Sequence, residues 1–328
     1  MKIALIGLGS VGRGVAGTLA AKDQGITITG IADSKSGLMD PAGIDIGKVL
    51  EKKKATGSCG DAGVTAMDVI CKAEYDVLVE VSPTNAITGE PSLGYIRAAL
   101  DRKKHVVTSN KGPVSLAGKD LRSLARKHSV AFRYEATVAG AIPIMHVLEH
   151  GLAGNEILGI YGVLNGTCNY ILTRMADEGL TYDQALLEAR EMGYAEADPT
   201  YDVQGIDAAI KLVILANTIW GNGAKLADVQ RTGIDLLTAD ALRLAEEEGC
   251  TIRLIAEAIP RTKVLRVSPR IIPRNHPLVV KGTLNALTIE TDMAKEITLV
   301  GRGAGSVETA SAIIGDLLYI REHYDRRS

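Results

Sequence analysis

Short apolar runs and amphipathic stretches alternate through the first 135 residues of this chain, and the alternation sets the expected fold. Lys2-Ile-Ala-Leu-Ile6 has the character of a buried strand, and beyond the glycines that follow it Val11, Val15 and Leu19 fall on one helical face. Further strands are predicted at 26–31, leading to Asp33, and at 75–81, 105–108 and 130–134, with helical patterns around 92–101 and 115–127. This order implies right-handed crossovers and a parallel sheet.

After roughly residue 135 the pattern changes. Residues 155–164 read as a strand, 167–192 and 203–221 as helices, and 239–248 as a helix stopped by Gly249. Strands are then predicted at 251–259, 264–272 and 278–290, with turn signals at Pro260 and Asn275-His276-Pro277. This second half is α+β. Gly301-Arg-Gly-Ala-Gly305 precedes a last helix with Ala310, Ile313, Ile314 and Leu317 on one face, a tail expected to return to the first domain.

A length of 328 residues exceeds what one core usually fills and suits two domains. Net charge is −2 with both signs dispersed, so no basic footprint for nucleic acid or anionic lipid exists, and the expected partner is a small molecule. Lys52-Lys53-Lys54 reads as a solvated helix end. A strand directly after Met1 leaves no room for a leader, and no apolar stretch approaches the ~20 residues of a membrane span, so a cytoplasmic protein is expected. Cys59, Cys71, Cys168 and Cys250 lack metal-ligand spacing and are expected as reduced thiols, with a disulfide between subunits left open. His146 and His150 are four apart on a predicted helix but lack a third ligand in sequence, so they read as helix-surface or core residues.

Gly7-x-Gly9-x-x-Gly12 sits where a strand turns into a helix. Its glycines meet three needs: a tight turn, backbone approach to a pyrophosphate, and close helix–strand packing. Gly7, Gly9, Ser10, Val11 and Gly12 are therefore candidate phosphate-binding residues of a Rossmann-type domain. Asp33 follows at the interval where a carboxylate can take ribose hydroxyls, which favours NAD; Lys35 can neutralise a 2′-phosphate, which favours NADP. The choice stays open.

Thr108-Ser109-Asn110-Lys111-Gly112-Pro113 ends a predicted strand, and ligands of open α/β sheets bind beyond such carboxyl ends, so Lys111 points toward the cofactor crevice. Between Gly193 and Lys211 the chain gathers Glu196, Asp198, Asp202 and Asp207 around one helix start. Asp207 and Lys211 are spaced i, i+4 in the favourable order for a surface ion pair, and Asp202 suits an N-cap. A site for a zwitterionic amino acid explains the whole cluster.

The chain resembles the homoserine dehydrogenase family across nearly its whole length. The likeness is carried by Ser82-Pro-Thr-Asn85 with Thr88-Gly-Glu-Pro91, by Thr108–Pro113, by Glu135-Ala-Thr-Val-Ala-Gly-Ala-Ile-Pro143, by Asn165-Gly-Thr-Cys-Asn-Tyr-Ile171 and by the acidic-lysine segment. The resemblance implies that Lys111 exchanges a proton with the substrate oxygen. It also implies that Lys211 holds the substrate and shares in proton transfer, that Asp207 orients Lys211, and that Glu196 and Asp202 hold the substrate ammonium and polar groups. Thr84 and Ser109 match contacts to the nicotinamide end, and Gly301, Gly303 and Gly305 match the place where the tail closes on the cofactor. Glu135 with the backbone carbonyls of Val138, Gly140 and Ile142 matches a sodium site, although glycine-rich backbone there also suits a hinge.

The implied reaction is reversible reduction of L-aspartate 4-semialdehyde to L-homoserine by NADH or NADPH, in threonine and methionine biosynthesis. The implied architecture is a dinucleotide-binding domain of residues 1–134 plus about 300–328, and an α+β substrate-binding and dimerisation domain of 135–299 whose sheet forms a homodimer. A short form without a C-terminal regulatory domain is expected. Two rival readings are an aldehyde-oxidising dehydrogenase using Cys168 as nucleophile and a non-catalytic dinucleotide sensor.

Overall fold

The computed structural model describes residues 1–324 and divides into two compact units, Met1–Ala141 together with the segment from Gly305, and Ile142–Ala304. In the first unit the order is β1 (Lys2–Ile6), α1 (Ser10–Ala21), β2 (Thr27–Ala32), β3 (Gly37–Met39), α2 (Ile46–Thr56), α3 (Ala66–Lys72), β4 (Val77–Glu80), α4 (Ser92–Asp101), β5 (His105–Thr108), α5 (Lys111–Lys127) and β6 (Phe132–Arg133). The strands form one sheet in the order β3-β2-β1-β4-β5-β6, parallel except for the antiparallel edge strand β3. Reversal of direction at β1/β4 is the switch point at which doubly wound sheets open a crevice. Register aligns the strand ends: Ile6 lies beside Ala32 and Glu80, and Glu80 beside Thr108. The residues just after them, Gly7, Asp33, Val81 and Ser109, are thereby brought to one edge.

Ile3, Leu5, Val77, Val79 and Val107 supply the strand side of the core. Val15 of the predicted α1 face is fully buried, with Val11 and Leu19 packed beside it. The C-terminal helix Ser306–Tyr324 contributes Ala310, Ile313 and Leu317 to this core, as its periodicity predicted. It is fastened by the buried Arg133–Asp316 pair at 3.0 Å, while Asp316 also accepts from the Glu135 N–H at 2.9 Å.

The second unit contains α6 (Ile144–His146), β7 (Ile157–Val163), α7 (Gly166–Glu178), α8 (Tyr182–Glu191), α9 (Thr200–Val203), α10 (Ile206–Ile219), β8 (Gln230–Arg231), α11 (Ala239–Glu247), β9 (Cys250–Ile259), β10 (Val264–Pro273), β11 (Leu284–Thr291) and β12 (Glu296–Arg302). Its sheet runs β12-β11-β7-β9-β10-β8, antiparallel up to the final parallel β10–β8 pair. Helices α7, α10 and α11 pack against the central strand β9.

Several element boundaries differ from the sequence-based expectation. The predicted strand 278–290 begins only at Leu284, because Pro277 and the left-handed Gly282 keep the preceding segment out of the ladder. Leu278 and Val280 are apolar because they cover a small core with Val163, Ile255 and Ala286. β12 is not among the predicted strands; it pairs with β11 as far as Gly301, opposite Asn285, and Arg302, opposite Leu284. The predicted helix 167–192 is two helices broken at the left-handed Gly179, the second restarted by a Thr181–Gln184 capping box. Helix α5 starts at Lys111 rather than 115, since the Asn110 side chain caps it and Pro113 falls in a first turn that needs no N–H.

Candidate active site

In the first unit the glycine turn is sterically compelled. Gly7 has φ of 103°, and a Cβ there would stand 2.6 Å from the Val81 carbonyl oxygen. A Cβ on Gly12 would stand 1.9 Å from the Gly7 oxygen, so α1 lies directly on the turn. At Gly9, which precedes α1, a Cβ would meet no protein atom within 4 Å. Packing does not require that glycine, whereas approach of a pyrophosphate to the open N–H groups at Ser10 and Val11 does. The turn fits a dinucleotide.

Asp33 is more committed than its sequence spacing suggests. Its Oδ1 accepts from the N–H groups of Lys35 and Ser36 at 2.7 and 2.8 Å, and its Oδ2 meets Lys53 Nζ at 2.5 Å. Burial opposes ionisation of Asp33, but the Lys53 bond and charge together with these N–H groups prevail and hold the carboxyl below its usual range. The reading of Lys52–Lys54 as a solvated helix end thus needs correction at Lys53. That side chain turns inward from the last turn of α2, with Nζ also donating to the Gly57 carbonyl at 2.8 Å. Lys35 is exposed, and its ammonium lies beside Gly57 as well.

At the end of β4, Glu80 is fully buried. It accepts from the Ser82 N–H at 3.0 Å, from the Ser82 hydroxyl and from Thr108 Oγ1 at 3.0 Å. Burial pushes its carboxyl up against the opposing pull of these hydrogen bonds. Asn110 Nδ2 donates to Ser92 Oγ at 2.8 Å and to the Ser82 carbonyl at 3.2 Å. This frame joins the Ser82–Asn85 loop to the start of α5, where Lys111 is the first residue and half-buried. Thr84 is exposed in that loop, and the Ser109 N–H donates to the Glu80 carbonyl. Sequence reasoning passed over Glu80 and Asn110. The signal was a carboxylate near the end of an otherwise apolar strand.

The second unit holds a denser network. Lys211 Nζ donates to Asp207 Oδ2 and to the Leu164 carbonyl, each at 2.7 Å. Asn165 Nδ2 donates to Asp202 Oδ1 at 2.7 Å and to Asp207 Oδ2 at 2.9 Å. Asp207 is 5% exposed and Lys211 8%, so the i, i+4 pair is not a surface ion pair. Helix α10 is buried without a break from Asp207 to Ala216, and its lysine has no solvated face to occupy. Nor is Asp202 an N-cap. It lies inside α9 with its side chain on Asn165, while Gly205, left-handed, precedes α10. Asp198 is exposed and accepts from the Thr200 N–H, and Glu196 is exposed in the loop. The structure therefore joins Asp202, Asp207 and Lys211, whereas the network described does not include Glu196.

Cys168 is wholly buried at the start of α7, its thiol donating to the Asp202 carbonyl at 3.2 Å. Burial, followed by the charges of Asp202 and Asp207, raises the thiol far above its ordinary range, the reverse of what a nucleophile needs.

Of the glycines near the C-terminus, Gly301 lies in β12, Gly303 packs its backbone on the Asn285 side chain, and the Gly305 carbonyl accepts the Thr309 N–H as the last helix begins. Glu135 is buried in a single 3-10 turn, and Ala139 and Gly140 both have positive φ. Val138 and Gly140 belong to the first unit and Ile142 to the second. Among the described residues, no three His, Cys, Asp or Glu side chains are grouped to hold a metal.

Comparison with known proteins matches residues 7–135 to the NAD-binding domain of homoserine dehydrogenase and residues 143–318 to the homoserine dehydrogenase family model. A homoserine dehydrogenase of Methanocaldococcus jannaschii is 46% identical, with 98% of each chain covered. An NAD(+)-dependent homoserine dehydrogenase of Pseudomonas canavaninivorans is 35% identical over 99% of this chain and 97% of its own. A solved hyperthermophilic archaeal homoserine dehydrogenase in complex with NADPH shares the fold with a TM-score of 0.86 at 29% identity, with 98% of each chain covered.

Proposed function

The chain belongs to the homoserine dehydrogenase family, and from that premise we propose which of its residues carry the reaction. It is an NAD(P)-dependent oxidoreductase that interconverts L-aspartate 4-semialdehyde and L-homoserine. When bound, the nicotinamide supplies or removes hydride at the substrate carbon. Lys111 gives a proton to the aldehyde oxygen during reduction and takes it back during oxidation. Lys211, fixed by Asp207 and the Leu164 carbonyl, holds the substrate and shares in that transfer. Asp202 takes the substrate ammonium, with Glu196 assisting from the loop.

The network of half-buried Asp202 with buried Asp207 and Lys211 is the observation that carries this reading. Asn165 and Lys211 fix the two carboxylates in place, and fixed carboxylates are what a substrate ammonium requires. Glu196 is included on its match to the family motif alone. At the phosphate turn, Gly7, Gly9 and Gly12 hold the pyrophosphate, while Lys53 and Lys35 receive a 2′-phosphate if one is present. Asp33 takes a ribose hydroxyl when Lys53 releases it. Thr84, Ser109, Gly301, Gly303 and Gly305 complete the cofactor contacts.

The reading extends to a sodium ion held by Glu135 and the carbonyls of Val138, Gly140 and Ile142, supported by the burial of Glu135 and the tight turn at Ala139-Gly140. It also includes a homodimer formed through the second unit's sheet, on whose strands Ile271 and Val300 stand exposed. No helix of the described residues is long and apolar enough to cross a membrane. The four unpaired cysteines and the biosynthetic chemistry support a cytoplasmic site in the threonine and methionine pathways.

The test is initial-rate reduction of L-aspartate 4-semialdehyde with NADH and NADPH separately, on wild type, Lys111→Ala and Lys211→Ala. Each variant should lose at least ~10²-fold in turnover while coenzyme binding, read by NAD(P)H fluorescence, changes little. Wild-type-like turnover in both variants sinks the assignment of roles.

A further inference from the structure

We propose that Asn165 is a positioning residue of the reaction: its amide holds the carboxylates of Asp202 and Asp207 side by side, and through Asp207 it fixes Lys211. The proposal rests on the roles given above to those three residues and adds the group that sets their geometry.

Asn165 is 4% exposed and lies between the end of β7 and the start of α7. Its Oδ1 accepts the Cys168 N–H at 2.8 Å, the capping bond of α7. That bond determines which way the amide faces, because the reversed amide would set its oxygen against two carboxylates. With the oxygen committed to the cap, Nδ2 has two hydrogens to give. One goes to Asp202 at 2.7 Å and the other to Asp207 at 2.9 Å. The chain segments joined are distant in sequence: Asn165 from one helix start, Asp202 from α9 and Asp207 from the first turn of α10.

Two carboxylates served by one nitrogen are close enough that each disfavours ionisation of the other. Lys211 offsets this at Asp207, where its ammonium lies 2.7 Å away. At Asp202 an amide hydrogen of Asn165 acts in the same sense, and the amide itself carries no charge. A lysine or arginine at 165 would add a positive charge beside the two carboxylates, and an aspartate would add a third carboxylate. An amide caps the helix and donates twice while remaining neutral. Leu164, the preceding residue, presents its carbonyl to Lys211, so this one corner of the chain holds both ends of the network.

The experiment compares the pH dependence of kcat/KM for L-homoserine oxidation in wild type, Asn165→Ser, Asn165→Asp and Thr181→Ala. Serine keeps a capping oxygen but cannot reach both carboxylates. Loss of the two N–H donors raises the carboxyl pKa values, so the acid limb of Asn165→Ser should move up by about one pH unit. The accompanying loss of roughly tenfold should fall mainly on the homoserine KM. Asn165→Asp should lose more, and part of its loss should recover as the pH is lowered. Thr181→Ala removes a capping side chain of α8 away from the network and should lower stability without moving the limb.

An unmoved acid limb in Asn165→Ser, with Lys211→Ala inactive in the same assay, overturns the positioning role and leaves the assigned roles intact. Wild-type-like turnover in Lys211→Ala overturns both. A limb shift of equal size in Thr181→Ala assigns the effect to general loosening of the unit and also overturns the proposal.

Discussion

Replacing Asp207 with alanine tests whether the second unit is held together by its own active-site charges. The pair it forms with Lys211 is 2.7 Å long, and the two side chains are 7% and 10% exposed. Removing one partner of such a pair leaves an ammonium stranded among apolar residues, a loss of ~3–5 kcal/mol in comparable cases. The Leu164 carbonyl still accepts from Lys211, which places the expected cost toward the lower end of that range. With a urea m-value of ~2–3 kcal/mol/M, the unfolding midpoint should drop by roughly 1–2 M. The chain provides its own probe, because its single tryptophan, Trp220, caps the far end of the helix that carries both residues and donates to the Ile157 carbonyl at 3.1 Å. Tryptophan fluorescence against urea therefore reports on this unit. The companion variant joins Asp207→Ala with Lys211→Met, which removes the stranded charge and keeps the volume. It should be more stable than Asp207→Ala alone by at least ~1 kcal/mol. A single variant with an unchanged midpoint, or a double variant whose losses simply add, would refute the claim that these charges are mutually dependent.

Two further substitutions address the coenzyme and the thiol. Lys53→Met should raise the KM for NADPH by about tenfold relative to NADH, the worth of one charge-assisted hydrogen bond, since it removes a candidate 2′-phosphate ligand and frees Asp33 for a ribose hydroxyl. An unchanged ratio of kcat/KM for the two coenzymes would remove Lys53 from the selectivity argument. Cys168→Ser should keep turnover within about a factor of five, because a hydroxyl can still donate to the Asp202 carbonyl. Loss of activity there would reinstate a nucleophilic route.

The doubly wound unit was legible because its strands are continuous apolar runs and its glycine turn has a steric cause visible in spacing alone. The edge strand Gly37–Met39 spans three residues, α2 buries only Ile46 and Val49, and α3 spans seven residues, so each left a weaker signal. Lys53 was misread for a related reason. A charge run at a helix end says nothing about a carboxylate that arrives from twenty residues earlier, and only the fold brings Asp33 within 2.5 Å. In the second unit, Leu278 and Val280 looked like strand because burial and strand pairing both demand apolar residues.

The misreading of Asp207 and Lys211 goes deeper, because i, i+4 spacing is the same whether a pair faces water or lies in a core. What separates the two cases is the rest of the helix. Ile210, Leu212, Val213, Ile214, Leu215 and Ala216 surround it with apolar residues on every side, and a helix hydrophobic all round is buried. On such a helix a lysine and an aspartate have no solvated face to use. Their desolvation must be offset by fixed partners, which the carbonyl of Leu164 and the amide of Asn165 provide. Charged residues placed there are costly to keep for stability alone, since apolar side chains of similar volume would serve at least as well. The same reasoning reaches Glu80, a buried carboxylate beside the start of α5. In both units, ionisable groups sit where packing gives the least reason to have them, and in both they border the lysines assigned to the chemistry.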